Sequence, residues 1–481
     1  MNYLWRSEAL YRAMGGRPLG NHLPEGITGI SIDTRSLKPG EAFFAIKGDI
    51  HDGHDFATSA VKAGAGLLVV SEQKLPALGR IAAPLIVVPD VLRGLEALGV
   101  AARARSRARV IAVTGSAGKT TTKEALRLGL SACGKVHASD KSFNNHWGVP
   151  LTLARMPEDT DFAVFEIGMN HPDEIRPLVK MVRPHIAMAT LIAAAHLGHF
   201  SSLEEIADAK AEIFEGVEKG GHALINRDDA MWKRLDTAAR QAGLQHVWSF
   251  GEHQRATFRL VDWVQDYAGA EIVAKMAGKE FPVRIGAPGR HMVQNAIAVL
   301  GASYLSGADV TKVASALARL QPEAGRGRRH LLSHPQGGEF LLIDESYNAN
   351  PASMRAALDL LRVAPISEGG RRIAILGDML ELGEHSRELH ADLKDPLLTA
   401  GTDLSFLTGS EMSALAAQLP PGACAHFANV AELIPAVIDT VSPGDVVVVK
   451  SSNGIGFSKL VAALLQQFPA APTADPTQIE A

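Results

Sequence analysis

The sequence predicts an α/β protein of three domains, and three observations carry that reading. The chain has 481 residues, too many for one core when a domain usually holds roughly 100–200. Short, nearly all-apolar runs alternate with amphipathic helical patterns, once from residue 110 and again from residue 340. Such runs suit strands buried on both faces of a parallel sheet. Between the two series lies a stretch of period two, the mark of strands with one wet face.

The first domain is expected over residues 1–84, an α/β unit with strands at 27–32, 42–46 and 67–70 around a helix at 56–63. Lys38-Pro39-Gly40 and Asp52-Gly53 mark its turns. The second is expected over 85–325 and opens with an Ala/Leu-rich helix near 91–104. Its parallel strands are expected at 110–113, 163–167, 186–192 and 223–225. From 256 to 285 the alternation, with turns at Ala268-Gly269 and Ala277-Gly278, predicts antiparallel hairpins on one edge, followed by a helix at 292–305. The third, over 326–481, repeats the strand–helix rhythm at 340–343, 373–376, 404–407 and 446–449, a second doubly wound, Rossmann-like unit. Beyond residue 468 the chain is Pro, Ala and Thr with little to bury, and the tail is expected to be disordered.

Composition removes several classes of function. There are 48 basic and 52 acidic residues, a formal charge of −4. The nearest thing to a basic run, the Ala/Arg stretch at 103–109, reads as a solvated helix end, so nucleic acid is not an expected partner. The two cysteines, Cys133 and Cys424, form no CxxC or metal pattern and read as small core residues in a reducing compartment. Residues 1–15 lack the apolar core of a signal peptide, and no stretch approaches the ~18 apolar residues of a membrane span. A cytoplasmic protein with no membrane partner is expected, and a monomer by default.

The strongest chemical signal is a loop. Residues 110–113 lead directly into Thr114, Gly115, Ser116, Ala117, Gly118, Lys119, Thr120 and Thr121, and a helix follows with Ala125, Leu126, Leu128 and Leu130 expected on its buried side. Glycines let backbone N–H groups turn inward around phosphate oxygens, and the helix N-terminus adds partial positive charge. Lys119 supplies a full charge for the β- and γ-phosphates of ATP, and the Thr120 hydroxyl is a ligand for Mg²⁺. This predicts a P-loop ATPase-like central domain. The common GxxxxGK[ST] spacing would need glycine at 113, where Val113 stands. The loop here is GxxGKT, two residues tighter.

That tight loop resembles the Mur ligase family, which also includes folylpolyglutamate synthetase. The likeness extends over nearly the whole chain. Asp33-Thr34-Arg35, Gly40, Phe43 and Asp52-Gly53-His54 resemble the family's UDP-sugar-binding domain. Further motifs follow in order: 142–150 around Asn144-Asn145-His146, 166–170 from Glu166, 344–351 through Tyr347-Asn348-Ala349-Asn350-Pro351, and 376–383 around Asp378. These are similar to members that join D-alanyl-D-alanine to a UDP-muramoyl-tripeptide in peptidoglycan precursor synthesis. A sibling that adds the third amino acid carries Asp-Asn-Pro-Arg, a tetrapeptide not found here. That sibling and folylpolyglutamate synthetase remain the alternative readings. A nucleotide-gated interaction protein is the alternative of another class.

The chemistry such a ligase needs can be built from residues. A carboxylate is a poor electrophile. Transfer of the ATP γ-phosphoryl group makes an acyl phosphate that an amine can attack, so the protein mainly positions anions and neutralises charge. Glu166 closes a strand at the sheet's ligand-binding end and is a candidate for Mg²⁺. Arg326, with Arg328 as rival, stands at the expected hinge and can reach the γ-phosphate on closure. Asp344 ends the third domain's first strand and is a candidate for the ribose hydroxyls. Its neighbour is Glu345 where Asp is usual, which leaves open which acid faces the nucleotide. Lys450 ends a later strand and is a candidate for substrate carboxylate or phosphate, although Ser451 replaces the usual glycine beside it.

Other roles are implied by the resemblance alone. His196, with His199 as rival, would hold a second Mg²⁺. Lys210, which bare sequence reads as a solvated helix lysine, would be carbamylated and bind metal. Asn295 would contact the nucleotide. Ser31, Asp33, Thr34 and Arg35 would bind the UDP-sugar, with Asn144, Asn145, His146, Asn348 and Asn350 as further substrate contacts. No base for the attacking amine is singled out.

Overall fold

The computed structural model describes residues 3–471 except 21, 49, 80, 141–142, 195–197, 199 and 267. Three large sheets follow one another along the chain, and a two-stranded ribbon pairs Trp5–Arg6 with Gly26–Ile27. The first large sheet is built from short strands of two to five residues in the order Arg17–Leu19, Leu85–Val88, Leu67–Ser71, Ala42–Phe44, Ile30–Ser31. All its pairs are parallel except that of Arg17–Leu19. Because Leu85–Val88 lies inside this sheet, the first unit extends past the boundary expected at residue 84. That strand is buried on both faces and flanked by Pro84 and Pro89, so it shows neither alternation nor a turn signal of its own.

The helix Val91–Arg105 is shared between units. Asp90 caps it, accepting the Arg93 N–H at 2.8 Å. Val91, Leu95, Leu98 and Ala102 enter the N-terminal core together with Leu151 and Ala154 of the central domain. Two polar links reinforce this seam: Trp5 Nε1 donates to the Ala154 carbonyl at 2.8 Å, and Arg155 Nε to that of Ile30 at 2.8 Å.

The central sheet has nine strands in the order Lys279–Ile285, Ala270–Met276, Phe258–Gln265, His246–Gly251, His222–Asn226, Ile186–Ala189, Arg109–Thr114, Phe162–Glu166, Val136–Ala138. The pairs are parallel from Val136–Ala138 through Phe258–Gln265, and the last two are antiparallel hairpins as the period-two stretch requires. Leu126, Val293, Ile297 and Val313 cover one face, and Ile175, Leu178, Phe214 and Leu235 the other. Arg109–Thr114, first of the parallel strands in sequence, lies between Phe162–Glu166 and Ile186–Ala189. The chain therefore departs to both sides of its carboxyl end, and a crevice opens there.

The third sheet orders Arg328–Ser333, Glu339–Glu345, Val446–Lys450, Arg372–Gly377, Leu404–Thr408, Cys424–Phe427, with only the first pair antiparallel. Its edge is continued by residues expected to be disordered. Ser333 N donates to Pro469 O at 2.8 Å and Ala471 N to Leu331 O at 2.9 Å. Phe468 anchors this segment, its ring buried 5.0 Å from that of Phe340. No described helix is long and apolar enough to cross a membrane.

Candidate active site between the central and C-terminal domains

The tight loop is braced by the neighbouring strand. Gly115 and Gly118 have φ of 150° and 85°. A Cβ on Gly115 would overlap Thr190 Oγ1, and one on Gly118 would sit 2.9 Å from Asn295 Oδ1. The Thr190 hydroxyl lies 2.6 Å from the Ala117 carbonyl and 3.1 Å from that of Thr114, while Ser116 N donates to Leu191 O at 2.6 Å. The short turn is thus stiffened by Thr190, the first residue after Ile186–Ala189, rather than by its own length.

A cavity of about 460 Å³ opens above the loop, at the start of the helix Lys119–Leu130. Ser116, Ala117, Gly118, Lys119, Thr120 and Thr121 line it from below, with Asn144, Glu166 and Asn295. From the C-terminal side come Arg326, Glu345, Asn348, Asn350 and Lys450. Lys119 Nζ donates to the Gly115 carbonyl at 2.6 Å. Burial pushes its pKa below the usual lysine range, with Glu166 opposing and the charge of Arg326 reinforcing the shift.

Glu166 is 1% exposed. Asn144 Nδ2 donates to its Oε1 at 2.8 Å, and its Oε2 is buried without a partner, as is Ser116 Oγ. An orphaned carboxylate oxygen inside a protein is costly unless something else completes it. With the Thr120 hydroxyl in the same cavity, the donors suit a hard cation that takes oxygen ligands. Among the described residues no three His, Cys, Asp or Glu side chains converge, so such an ion would rest on mixed donors.

Lys210 sits in the helix Leu203–Ala211, whose N-cap Ser202 accepts the Glu205 N–H at 3.2 Å. Bare sequence places it in solvent, yet it is 1% exposed and makes no hydrogen bond or ion pair among the described residues. Burial, with the nearby charge of Lys119, drives its pKa far below the usual range. His196 and its rival His199 lie outside the described residues.

Arg326 comes from the hinge between Gly325 and Gly327, both at positive φ, and lies 4.1 Å over the Tyr347 ring. Arg328 is exposed at the start of an edge strand and does not line the cavity. The two adjacent acids separate cleanly. Asp344 is buried and accepts from Gly325 N at 2.7 Å, Ser346 N at 3.1 Å and Ser346 Oγ at 2.6 Å. Its oxygens are spent on the hinge, which moves the cavity-facing role expected of Asp344 to Glu345. Glu345 Oε2 pairs with Lys450 Nζ at 3.1 Å, and that ammonium also donates to the Asn348 carbonyl at 2.9 Å. Ser451 fits beside Lys450 because Gly377 opposite gives way: a Cβ there would lie 2.8 Å from that of Ser451.

Not every expected residue gathers here. Asn145 caps the turn before Gly148 at 3.0 Å, and His146 is exposed; neither lines the cavity. Asn350 does line it, but its side chain also closes a capping box with Ser353. Ser31, Asp33, Thr34 and Arg35 stand apart in the N-terminal domain. There the Ser31 hydroxyl donates to Asp33 O at 2.9 Å and Arg35 clasps the Asp33 carboxylate at 2.7 Å. Sequence reasoning missed Thr190, Asn226 and His291 and gave Tyr347 a place in a motif but no role; all four line the cavity. Thr190 and Asn226 stand at strand carboxyl ends, where the crevice rule would have found them. Burial lowers His291 below the usual imidazole range, with Glu345 opposing and Lys450 adding to the shift.

A phosphate loop facing a second doubly wound domain, with a hinge arginine between them, defines a nucleotide-dependent transferase or ligase site. Comparison with known families is specific. Residues 26–106 match the Mur ligase family catalytic domain, 113–303 the Mur ligase middle domain, and 327–453 the Mur ligase glutamate ligase domain. The chain belongs to the Mur ligase family. It is 35% identical to the UDP-N-acetylmuramoyl-tripeptide–D-alanyl-D-alanine ligase of Escherichia coli, over 90% of this chain and 93% of that protein. It is 33% identical to the ligase of the same name from Rickettsia prowazekii, over 95% and 99%. Among solved structures, MurF from Acinetobacter baumannii superposes with a TM-score of 0.82 at 30% identity, covering 96% of this chain and 99% of that one.

Proposed function

We propose that this chain is an ATP-dependent ligase that joins D-alanyl-D-alanine to UDP-N-acetylmuramoyl-tripeptide through an acyl phosphate. The observation that carries the reading is the single cavity in which Lys119, Thr120 and Glu166 face Arg326 and Lys450 across two domains. Full-length identity to ligases of that name supports the choice of substrates. The Gly115–Thr121 loop and the helix behind it cradle the phosphates. Lys119 bridges toward the γ-phosphate, and Arg326, steadied by Tyr347, meets the charge that develops on the phosphoryl group in flight. The tripeptide carboxylate attacks the γ-phosphorus, its C–O–P bond forms as the bond to ADP breaks, and the dipeptide amine then displaces phosphate. Asn144 keeps the Glu166 carboxylate turned into the cavity.

Mg²⁺ fits the donors present, and Thr120, Glu166 and a modified Lys210 would hold it. When bound, it supplies charge neutralisation between the phosphates and the incoming carboxylate. Lys210 is suited to carbamylation because burial, with the nearby charge of Lys119, favours the uncharged amine. The neutral nitrogen adds to carbon dioxide, one proton is released, and an uncharged amine becomes an anion.

The test is phosphate release with each acceptor and each amine. Release is expected only with tripeptide plus D-alanyl-D-alanine. Release with the shorter dipeptide precursor plus a diamino acid would overturn the reading in favour of the sibling ligase, and release with a folate plus glutamate in favour of folylpolyglutamate synthetase. ¹³C-bicarbonate NMR is expected to show a carbamate resonance that Lys210→Met abolishes.

A further inference from the structure

One buried cation takes no part in the mechanism above. Lys123 lies one turn beyond Lys119 on the loop helix and is 0% exposed. Its ammonium donates to the Ser139 carbonyl at 2.8 Å and pairs with Glu124 Oε1 at 2.8 Å. Adjacent helical residues do not normally face each other. Both side chains must therefore turn toward one point, the carboxyl end of the strand Val136–Ala138. Glu124 is held in turn by Arg127 Nε at 2.6 Å. Lys123 and Glu124 cancel in charge, so the pair adds little field at the phosphates. What it adds is a fixed direction.

That direction leads to Glu166. Ser139 N donates to Val164 O at 3.2 Å, and Ser139 Oγ lies 3.4 Å from the Glu166 N–H. Further along the same segment, Asn144 donates to Glu166 Oε1 at 2.8 Å and accepts the Gly168 N–H at 2.9 Å. Glu166 is thus met at its backbone by Ser139, whose carbonyl is pinned to the loop helix by Lys123, and at its carboxylate by Asn144. We infer that Lys123, fixed by Glu124, is a positioning residue that sets Glu166 relative to the phosphate loop through Ser139, while Asn144 holds the same residue by its carboxylate. The inference rests on the proposed role of Glu166 in nucleotide and cation binding, and it applies whichever acceptor the enzyme uses.

The experiment measures Mn²⁺ binding to the ADP-loaded full-length enzyme by electron paramagnetic resonance, beside thermal melting. Lys123→Met is expected to weaken Mn²⁺ binding about tenfold, the scale of losses when a residue supporting a metal ligand is removed. Asn144→Ala is expected to do the same, and the double variant to be no worse than the worse single one, because both act on one acid. Lys123→Arg, which keeps the charge, is expected to recover most of the loss. Wild-type Mn²⁺ affinity in Lys123→Met, whatever its melting temperature, would overturn the inference, as would losses that multiply in the double variant. Should Lys123→Met fail to fold, Glu124→Gln serves: a loss of about threefold in Mn²⁺ affinity supports the inference and an unchanged affinity overturns it. Absence of D-alanyl-D-alanine ligation in the wild-type enzyme would instead strike the proposed function, while Mn²⁺–ADP binding would still decide the role of Lys123.

Discussion

The central and C-terminal domains share a doubly wound architecture but dispose of their charged residues differently. In the central domain the site's charges are incompletely paired among the described residues. Lys210 has none among the described residues, one oxygen of Glu166 has none, and Lys119 finds only a backbone carbonyl. In the C-terminal domain the buried charges are matched. Lys450 meets Glu345 and Asn348, Asp344 takes three donors, and Asp378 accepts Met412 N at 2.8 Å. The central site turns donors and acceptors of its own toward the cavity. The C-terminal site is finished by its own chain and arrives as a body. Altering the first should cost activity more than stability, and altering the second the reverse.

The sharpest contrast is expected from Lys119→Met. Phosphate release should fall by about 10³-fold or more, since a charge aimed at the transferring group is lost, while the melting temperature should hold or rise, because a poorly matched buried cation is gone. A substantial drop in melting temperature would break the comparison. On the other side, Lys450→Met leaves Glu345 without its ammonium. Chemical denaturation should show a loss of about 3 kcal/mol, the scale for breaking one side of a buried pair. The double change Lys450→Met with Glu345→Gln should recover part of it.

Between the two domains stands Arg326, which belongs to the hinge and is steadied by a ring. Tyr347→Ala should cost about 1 kcal/mol of that contact and lower the turnover rate about fivefold, whereas Tyr347→Phe should stay within about twofold. Equal losses in both would show that the phenol hydroxyl, not the ring face, does the steadying. The smallest effect is a slope. Lys210 has a folded-state pKa far below its unfolded value. Between those two values the unfolded chain binds more protons than the folded one, so stability rises with pH through that window. Unmodified wild type should therefore gain stability from neutral pH toward pH ~9 relative to Lys210→Met. A flat difference would mean that the lysine already carries its modification or is otherwise matched.

Much of this was legible because it is local. The phosphate loop announces itself by residue type and spacing, and the antiparallel edge at Phe258–Ile285 by its period. Glu166 could be chosen because it ends a strand. What escaped depends on partners far along the chain. The burial of Lys210 is set by the elements around it, and a helix opened by serine looks the same in solvent. Which of Asp344 and Glu345 faces the cavity follows from Gly325 turning its N–H toward one of them. The strand Leu85–Val88 and the pairing of 469–471 are completed by segments distant in sequence, Leu67–Ser71 closest to the one and Arg328–Ser333 to the other. The rhythm read from residue 110 onward could not supply either.

The helix Val91–Arg105 has a consequence for substrate choice. Its apolar side is buried jointly by the N-terminal core and by Leu151 and Ala154, with Trp5 and Arg155 stitching the same seam. Those two domains therefore share one buried seam, while the third is joined through the turn at Gly325 and Gly327. If the N-terminal domain holds the nucleotide-sugar as proposed, the precursor has a set gap to cross before its carboxylate reaches the phosphate loop. On the proposed reading, that seam works as a gauge. It measures how many amino acids the growing peptide already carries and rejects precursors that fall short.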